Sequence, residues 1–290
     1  MSVEKSQLEG FWKGEKEKKG KYEKKEDPEE LQERRAELEQ KAVTLARDAE
    51  RAFSSNDLTQ ALEKLRELQR TVGMELVENQ EQYERFEQEF NRQVENLRTL
   101  GFPKLAEMDE EKFAALFEPL KEQLKELSGR EFQEGRIPFV VVPREKLLSL
   151  EKKIPLMEVD GKKGYTVIDV SIDVSEFEDA DGVEVPEGMA YLVVDVENGK
   201  AMLGKSPDEA LKQLKKEDRS PLTAEEGVAT ILQHSDILKD HYMDLHTSRR
   251  GSDEVAGLWL SEGEPRLGWN LSDSSSSGWG LASCGSRVGP

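Results

Sequence analysis

Two long helical stripes dominate the front half of the chain. From Pro28 to about Phe53 the apolar positions Leu31, Leu38, Ala42, Leu45, Ala49 and Ala52 recur at three- and four-residue intervals, the spacing of one helix face. Pro28 suits a first helical turn, where a missing N–H has no bond to lose. The turn Ser54-Ser55-Asn56-Asp57 then offers several cap residues. A second stripe follows, through Leu58, Ala61, Leu62, Leu65, Val72, Leu76, Tyr83, Phe86, Phe90, Val94 and Leu97, and predicts a helix to about Leu100. Gly73 is its one weak interior position, at about 1 kcal/mol against Ala. A short turn between two such stripes predicts an antiparallel helical hairpin over residues 28–101. At about 1.5 Å per residue the arms span roughly 39 and 65 Å, so the shorter cannot cover the longer. The excess carries Tyr83, Phe86 and Phe90, an interaction face that requires a partner surface. The C-terminal domain is expected to cover it, with self-association through the long helix as the other solution.

Gly101 and Pro103 end the stripe, and residues 102–135 read as a short helical connector. Asp109 caps EEKFAALFEPLKEQLKEL, Pro119 introduces a kink, and Ser128-Gly129 closes it. From Ile137 the period changes. IPFVVVP is a buried-type strand, and KKIPLMEV leads through Gly161-Lys162-Lys163-Gly164 into YTVIDVSID as a hairpin. Asn198-Gly199 centres a second hairpin in MAYLVVDVENGKAML. Ser206-Pro207-Asp208-Glu209 and Thr223-Ala224-Glu225-Glu226 carry capping-box signatures and open two helices, the second reaching about Leu238. VAGLWL and PRLGWNL are the last strands, joined by a turn at Glu262-Gly263-Glu264-Pro265. The expected fold is α+β: the helical hairpin first, then an α+β domain at residues 136–290 with a mainly antiparallel sheet.

Charge narrows the partners. Residues 1–27 interleave Lys and Glu with little to bury, which predicts a disordered charged tail. The formal net charge is −19, which opposes nucleic acid and anionic membrane alike. A single cysteine forbids an internal disulfide and suits a reducing, cytoplasmic location. No apolar run nears the roughly 18 residues of a membrane span. The sequon Asn270-Leu271-Ser272 is then a chance match.

Candidate chemistry gathers near the C-terminal end. Residues 256–290 hold Trp259, Trp269, Trp279 and Cys284 but only five charged residues. Beside them in sequence stand Arg249, Arg250, Arg266 and Arg287. Arginine next to indole suits a carboxylate or phosphate, so the first expectation is a non-enzymatic binding or assembly protein with a Trp/Arg-lined surface for a protein partner or a small anionic ligand. The alternative is a small hydrolase or transferase with Cys284 as nucleophile, His241 or His246 as base and Asp244 orienting the imidazole. That chemistry needs an exposed thiol of depressed pKa, whereas an unpaired cysteine usually packs in a core. His234, His241 and His246 lie near Asp236, Asp240 and Asp244, but without metal-ligand spacing, so neither metal nor cofactor is expected. Gly278-Trp279-Gly280 lacks the strand–loop–helix frame of a dinucleotide loop, and no serine lies in a GxSxG elbow.

The phrases FNRQVENLRTLGFPKLAEMDEEKFAALFEPL, IPFVVVP, DGVEVP, YLVVDVENG, SPDEAL, PLTAEEGVA, LWLSEGEPRLGWN and WGLASCGSR occur in this order from about Phe90 to Val288. Together they resemble an uncharacterised bacterial family known only as a domain of unknown function. The resemblance implies a soluble bacterial protein and brings no activity, cofactor or catalytic residue. Residues 1 to about 88 are an addition to that pattern.

Overall fold

The computed structural model describes residues 40–41, 43–48, 50–51, 58–166, 178–179 and 183–290. The charged tail at 1–27, the turn of the helical hairpin and the continuation of the YTVIDVSID strand lie outside them. The chain divides into two units, Met1–Glu78 and Asn79–Pro290. The described residues of the first are helical. Helix α1, Leu58–Thr99, runs through Gly73 unbroken, ending one residue short of the predicted limit.

In the second unit, Gly101 adopts a left-handed φ of 86° and turns the chain into α2, Phe102–Leu105. Two short helices follow, α3 at Glu110–Ala115 and α4 at Glu118–Leu127. The Asp109 carboxylate accepts the Lys112 N–H at 2.8 Å, the cap read from sequence. Pro119 separates two helices instead of kinking one. It stands in the first turn of α4, where no N–H is needed.

Three strands make a small antiparallel sheet in the order β1-β6-β13, with β1 at Ile137–Pro143, β6 at Ala190–Val196 and β13 at Ser286–Val288. The larger sheet has the order β11-β8-β9-β10-β4, formed by Trp279–Leu281, Tyr242–Arg250, Glu254–Ser261, Glu264–Leu271 and Tyr165–Thr166, with β5 at Glu178–Asp179 on β8. Its centre is antiparallel and its edges β11 and β4 are parallel to their neighbours. β9 and β10 meet at a two-residue turn, with Glu262 and Gly263 both at positive φ (53° and 81°), the conformation that matches strand twist. Two minor pairs are β2, Glu158–Val159, with β3, Lys162–Lys163, and β7, Ser220–Pro221, with β12, Ser283–Cys284.

Helix α7, Ala224–Gln233, packs against β1, β8 and β9, and all but Glu225 of its ten residues are buried. Gly227 permits this: a Cβ there would lie 2.5 Å from Leu245 Cδ1. Both expected capping boxes are present, Ser206/Glu209 on α6 (Pro207–Leu214) and Thr223/Glu226 on α7. The second helix ends earlier than predicted, because His234 leaves helical geometry and a separate turn, α8 at Ile237–Asp240, follows.

The aromatic excess of α1 is covered by its own chain. Phe86 meets Phe132 and Phe139 edge-to-face at 5.8 and 5.5 Å, and Phe90 is fully buried. Tyr83 packs on the same cluster. Phe86 and Phe90, expected as an interaction face, are thus covered within their own chain. Gln93 completes the docking, its amide accepting the Val141 N–H at 2.8 Å and donating to the Phe139 carbonyl at 3.1 Å. One side chain thus satisfies the edge of β1 as a strand would.

Two local predictions differ from the structure. KKIPL forms α5, Leu150–Lys153, and a 3-10 turn at Ile154–Leu156, and the hairpin turn falls on Asp160-Gly161. Asn198-Gly199 joins no hairpin. The Glu197 carboxylate accepts the N–H groups of Gly199 and Ala201 at 3.1 and 3.0 Å, winding the chain into a 3-10 turn at Lys200–Met202. The segment holding Asp244 and His246 is β8, legible from the alternation Tyr242, Asp244, His246 against Met243 and Leu245.

Candidate functional site

On one face of the larger sheet, each of five adjacent strands contributes one residue to a single rung. Trp279 of β11 pairs with Tyr242 of β8, Trp259 of β9 with Arg266 of β10, and Arg266 with Tyr165 of β4. Tyr242 and Trp259 are brought opposite by the Met243–Leu258 pairing beside them. The rings touch: Tyr242 and Trp279 are 5.3 Å apart edge-on, and Trp259 and Trp279 are 5.6 Å apart. The Arg266 guanidinium lies over Trp259 at 4.9 Å and over Tyr165 at 5.8 Å. All five side chains are half-buried, while Met243, Leu258 and Leu267, pointing to the opposite face, are fully buried in the core.

The next rung inward is Leu281, Asp244, Gly257 and Gly268. Two glycines in register leave room for the larger rings above. A Cβ on Gly257 would sit 2.9 Å from Trp279 Cζ3. Trp279 is seated by backbone contact as well, since Gly280 meets Gly199 so closely that a Cβ on it would lie 2.0 Å from the Gly199 carbonyl oxygen. Asp244 is 1% exposed. Its Oδ1 accepts from Asn270 Nδ2 at 3.1 Å, and its buried Oδ2 has no partner. Burial pushes this carboxyl up to about 6, against the opposing Asn270 hydrogen bond.

A polar corner adjoins this rung. His246 Nε2 is 3.2 Å from Asp208 Oδ1 and 3.0 Å from Arg249 Nη1, and Ser272 Oγ donates to Asp208 Oδ2 at 3.1 Å. Burial lowers the His246 pKa, with Asp208 opposing. Asp208, not Asp244, is therefore the carboxylate beside this imidazole. His241 Nε2 contacts the Asn198 carbonyl at 2.9 Å. Neither histidine hydrogen-bonds to the only cysteine.

Cys284 lies in the interior on β12, fully buried, and burial pushes its thiol up to about 12. Its surroundings are charged, and the arginines among them are paired. Arg287 donates to Glu226 through Nε at 2.5 Å and Nη2 at 2.8 Å, to Ser220 Oγ at 2.8 Å and to the Pro221 carbonyl at 2.9 Å. Tyr191 OH donates to Glu226 at 2.8 Å. Arg219 donates to Asp195 Oδ2 at 2.5 Å and to Ser283 Oγ at 3.0 Å. A protonated, enclosed thiol without an imidazole is no nucleophile. Native-state alkylation of Cys284 by iodoacetamide at pH 8 is accordingly expected to track unfolding and to complete only in denaturant. Rapid labelling of the folded chain would overturn this.

Of the seven expected ligand-binding residues, the structure brings Trp259, Arg266 and Trp279 together. Trp269 is on the opposite face of β10, under the Arg250 guanidinium at 4.8 Å, and Arg250 also pairs with Glu254 at 2.6 Å. Arg249 belongs to the His246 corner and Arg287 to the interior. Tyr165, Tyr242, Asn270 and Asp208 were not anticipated. Among them only Tyr242 carried a sequence signal, the strand alternation of β8. A depression of about 460 Å³ lies elsewhere, floored by Phe90, Val94, Phe113 and Phe117. Its rim charges satisfy each other, Arg98 with Glu95 and Glu110, Lys121 with Glu118. Among the described residues no group of three or more His, Cys, Asp or Glu is placed to hold a metal ion, and no helix is long and apolar enough to cross a membrane.

The model of a family of unknown function, DUF5701, matches residues 96–290, two thirds of the chain, and the chain belongs to that family. No curated protein and no solved structure matches it.

Proposed function

We propose that this member of the family is a binding protein without catalytic chemistry, using the five-strand rung as its recognition face. The observation that carries the reading is Arg266. In a chain with 61 acidic and 42 basic residues, this half-buried arginine has neither an ion pair nor a hydrogen bond within the described residues. Neighbouring rings flank it, and among the described residues nothing accepts from its donors. Structural arginines here look different: Arg219, Arg250 and Arg287 all end on carboxylates. Half-exposed indole and phenol beside an oriented cation are the residue types that dominate recognition surfaces. The enclosed thiol and engaged histidines supply no support for the hydrolase or transferase. A cytoplasmic location suits the single reduced cysteine and the absence of any disulfide requirement.

Tryptophan emission tests the reading. Titrating the full chain with a panel of free metabolites and short peptides is expected to give a saturable change with at least one member. Trp259→Leu, with an unchanged thermal midpoint, is expected to abolish that response. A panel that gives no saturable change, or a response that survives Trp259→Leu, counts against the rung as a binding face.

A further inference from the structure

We propose that Arg266 is a receptor for a carboxylate, engaged end-on by its two terminal nitrogens; this rests on the rung being a binding face and adds the chemistry it reads. Orientation is the first support. Trp259 and Tyr165 stand on the strands either side of β10, and the guanidinium lies over both rings. The two rings flank the cation from the neighbouring strands, and its terminal N–H groups have no acceptor among the described residues.

Selective enclosure is the second. Arg266 Nε is buried with no acceptor, whereas Nη1 and Nη2, equally without partners, are not enclosed. An acceptor can therefore reach the terminal fork and not the side-on pair. The terminal N–H groups have no acceptor among the described residues, and an incoming oxyanion supplies them with charge-assisted bonds. Rings on the strands either side narrow the approach to the guanidinium. A flat carboxylate fits this narrowed approach with two parallel N–H···O bonds, and a tetrahedral phosphate directs at least one oxygen toward a ring. Trp279, in contact with Trp259 at 5.6 Å, extends the apolar floor on which a flat body joined to the carboxylate can lie.

Benzoate and inorganic phosphate, at matched ionic strength, are the probes. Tryptophan emission of the full chain is expected to saturate with benzoate and to respond less to phosphate. Arg266→Gln is expected to weaken benzoate binding about tenfold or more, and Arg266→Lys by a similar factor, because lysine keeps the charge but loses the planar fork. Near-ultraviolet circular dichroism checks that both variants keep the native packing. Benzoate binding that is absent, undiminished in Arg266→Gln, fully retained in Arg266→Lys, or weaker than phosphate binding overturns the assignment. Should a panel ligand still bind Arg266→Gln but fail to bind Trp259→Leu, the carboxylate assignment falls while the binding face stands.

Discussion

Replacing Glu226 with alanine is expected to lower stability by about 3–5 kcal/mol, the range for stranding a buried charge. Glu226 is fully enclosed on α7 and accepts four hydrogen bonds: two from Arg287, one from Tyr191 and one from the Thr223 N–H. Alanine leaves an interior guanidinium with no counter-charge, a phenol without an acceptor and a helix without its capping box. The loss exceeds that of any single surface pair, because exposed pairs contribute only about 0–1 kcal/mol. Guanidinium chloride unfolding of wild type and variant gives the number. Pairing the change with Arg287→Met separates charge from packing: the double variant Glu226→Ala/Arg287→Met is expected to cost less than the two single changes added together. A single-variant loss under about 1 kcal/mol would show that the interior pair is solvated in solution, contrary to the structure.

Asp244→Asn is expected to act in the opposite direction, stabilising the protein by about 3 kcal/mol at pH 7, since each pKa unit is worth about 1.36 kcal/mol. Burial raises the folded carboxyl to about 6 from its ordinary value of 3.8. Below both values the group is protonated in either state and contributes no pH-dependent term. Between them the folded state holds a proton that the unfolded state has released, so stability falls as pH rises. Above about 6 the full cost of the enclosed carboxylate is present. The stability gap between variant and wild type is therefore expected to grow from near zero at acid pH to its maximum at neutrality. The asparagine is isosteric, and its amide can donate where the bare Oδ2 only accepts. Urea midpoints measured across that interval test it, and a gap independent of pH refutes the cause given.

How legible all this was in the sequence depended on the range of the interactions involved. Local rules succeeded where the determinant was local. The capping boxes at Ser206 and Thr223, the cap at Asp109 and the long stripe from Leu58 each need only neighbours within one or two turns. Asn198-Gly199 failed because a side chain two residues away, Glu197, captured the turn, and because Gly199 is needed against the backbone of distant Gly280. The rung was half legible. Trp259, Arg266 and Trp279 stood out by composition, but which face each occupies follows from strand register. Arg250, Arg287 and Trp269 shared the same composition and went to other surroundings. Tyr165 joins through a parallel pairing that no neighbouring residue announces.

The rung sits back-to-back with the core, and this separates two kinds of change. Trp259 and Arg266 alternate along their strands with Leu258 and Leu267, which are fully buried. Substitutions at outward positions thus leave inward packing and backbone hydrogen bonding untouched. Each strand offers one letter of a five-letter word whose neighbours must agree with one another, while the frame that spells it stays fixed. Side chains on the outward face can in this way change without an unfoldable intermediate, which makes the sheet a starting point for grafting new surfaces by hand.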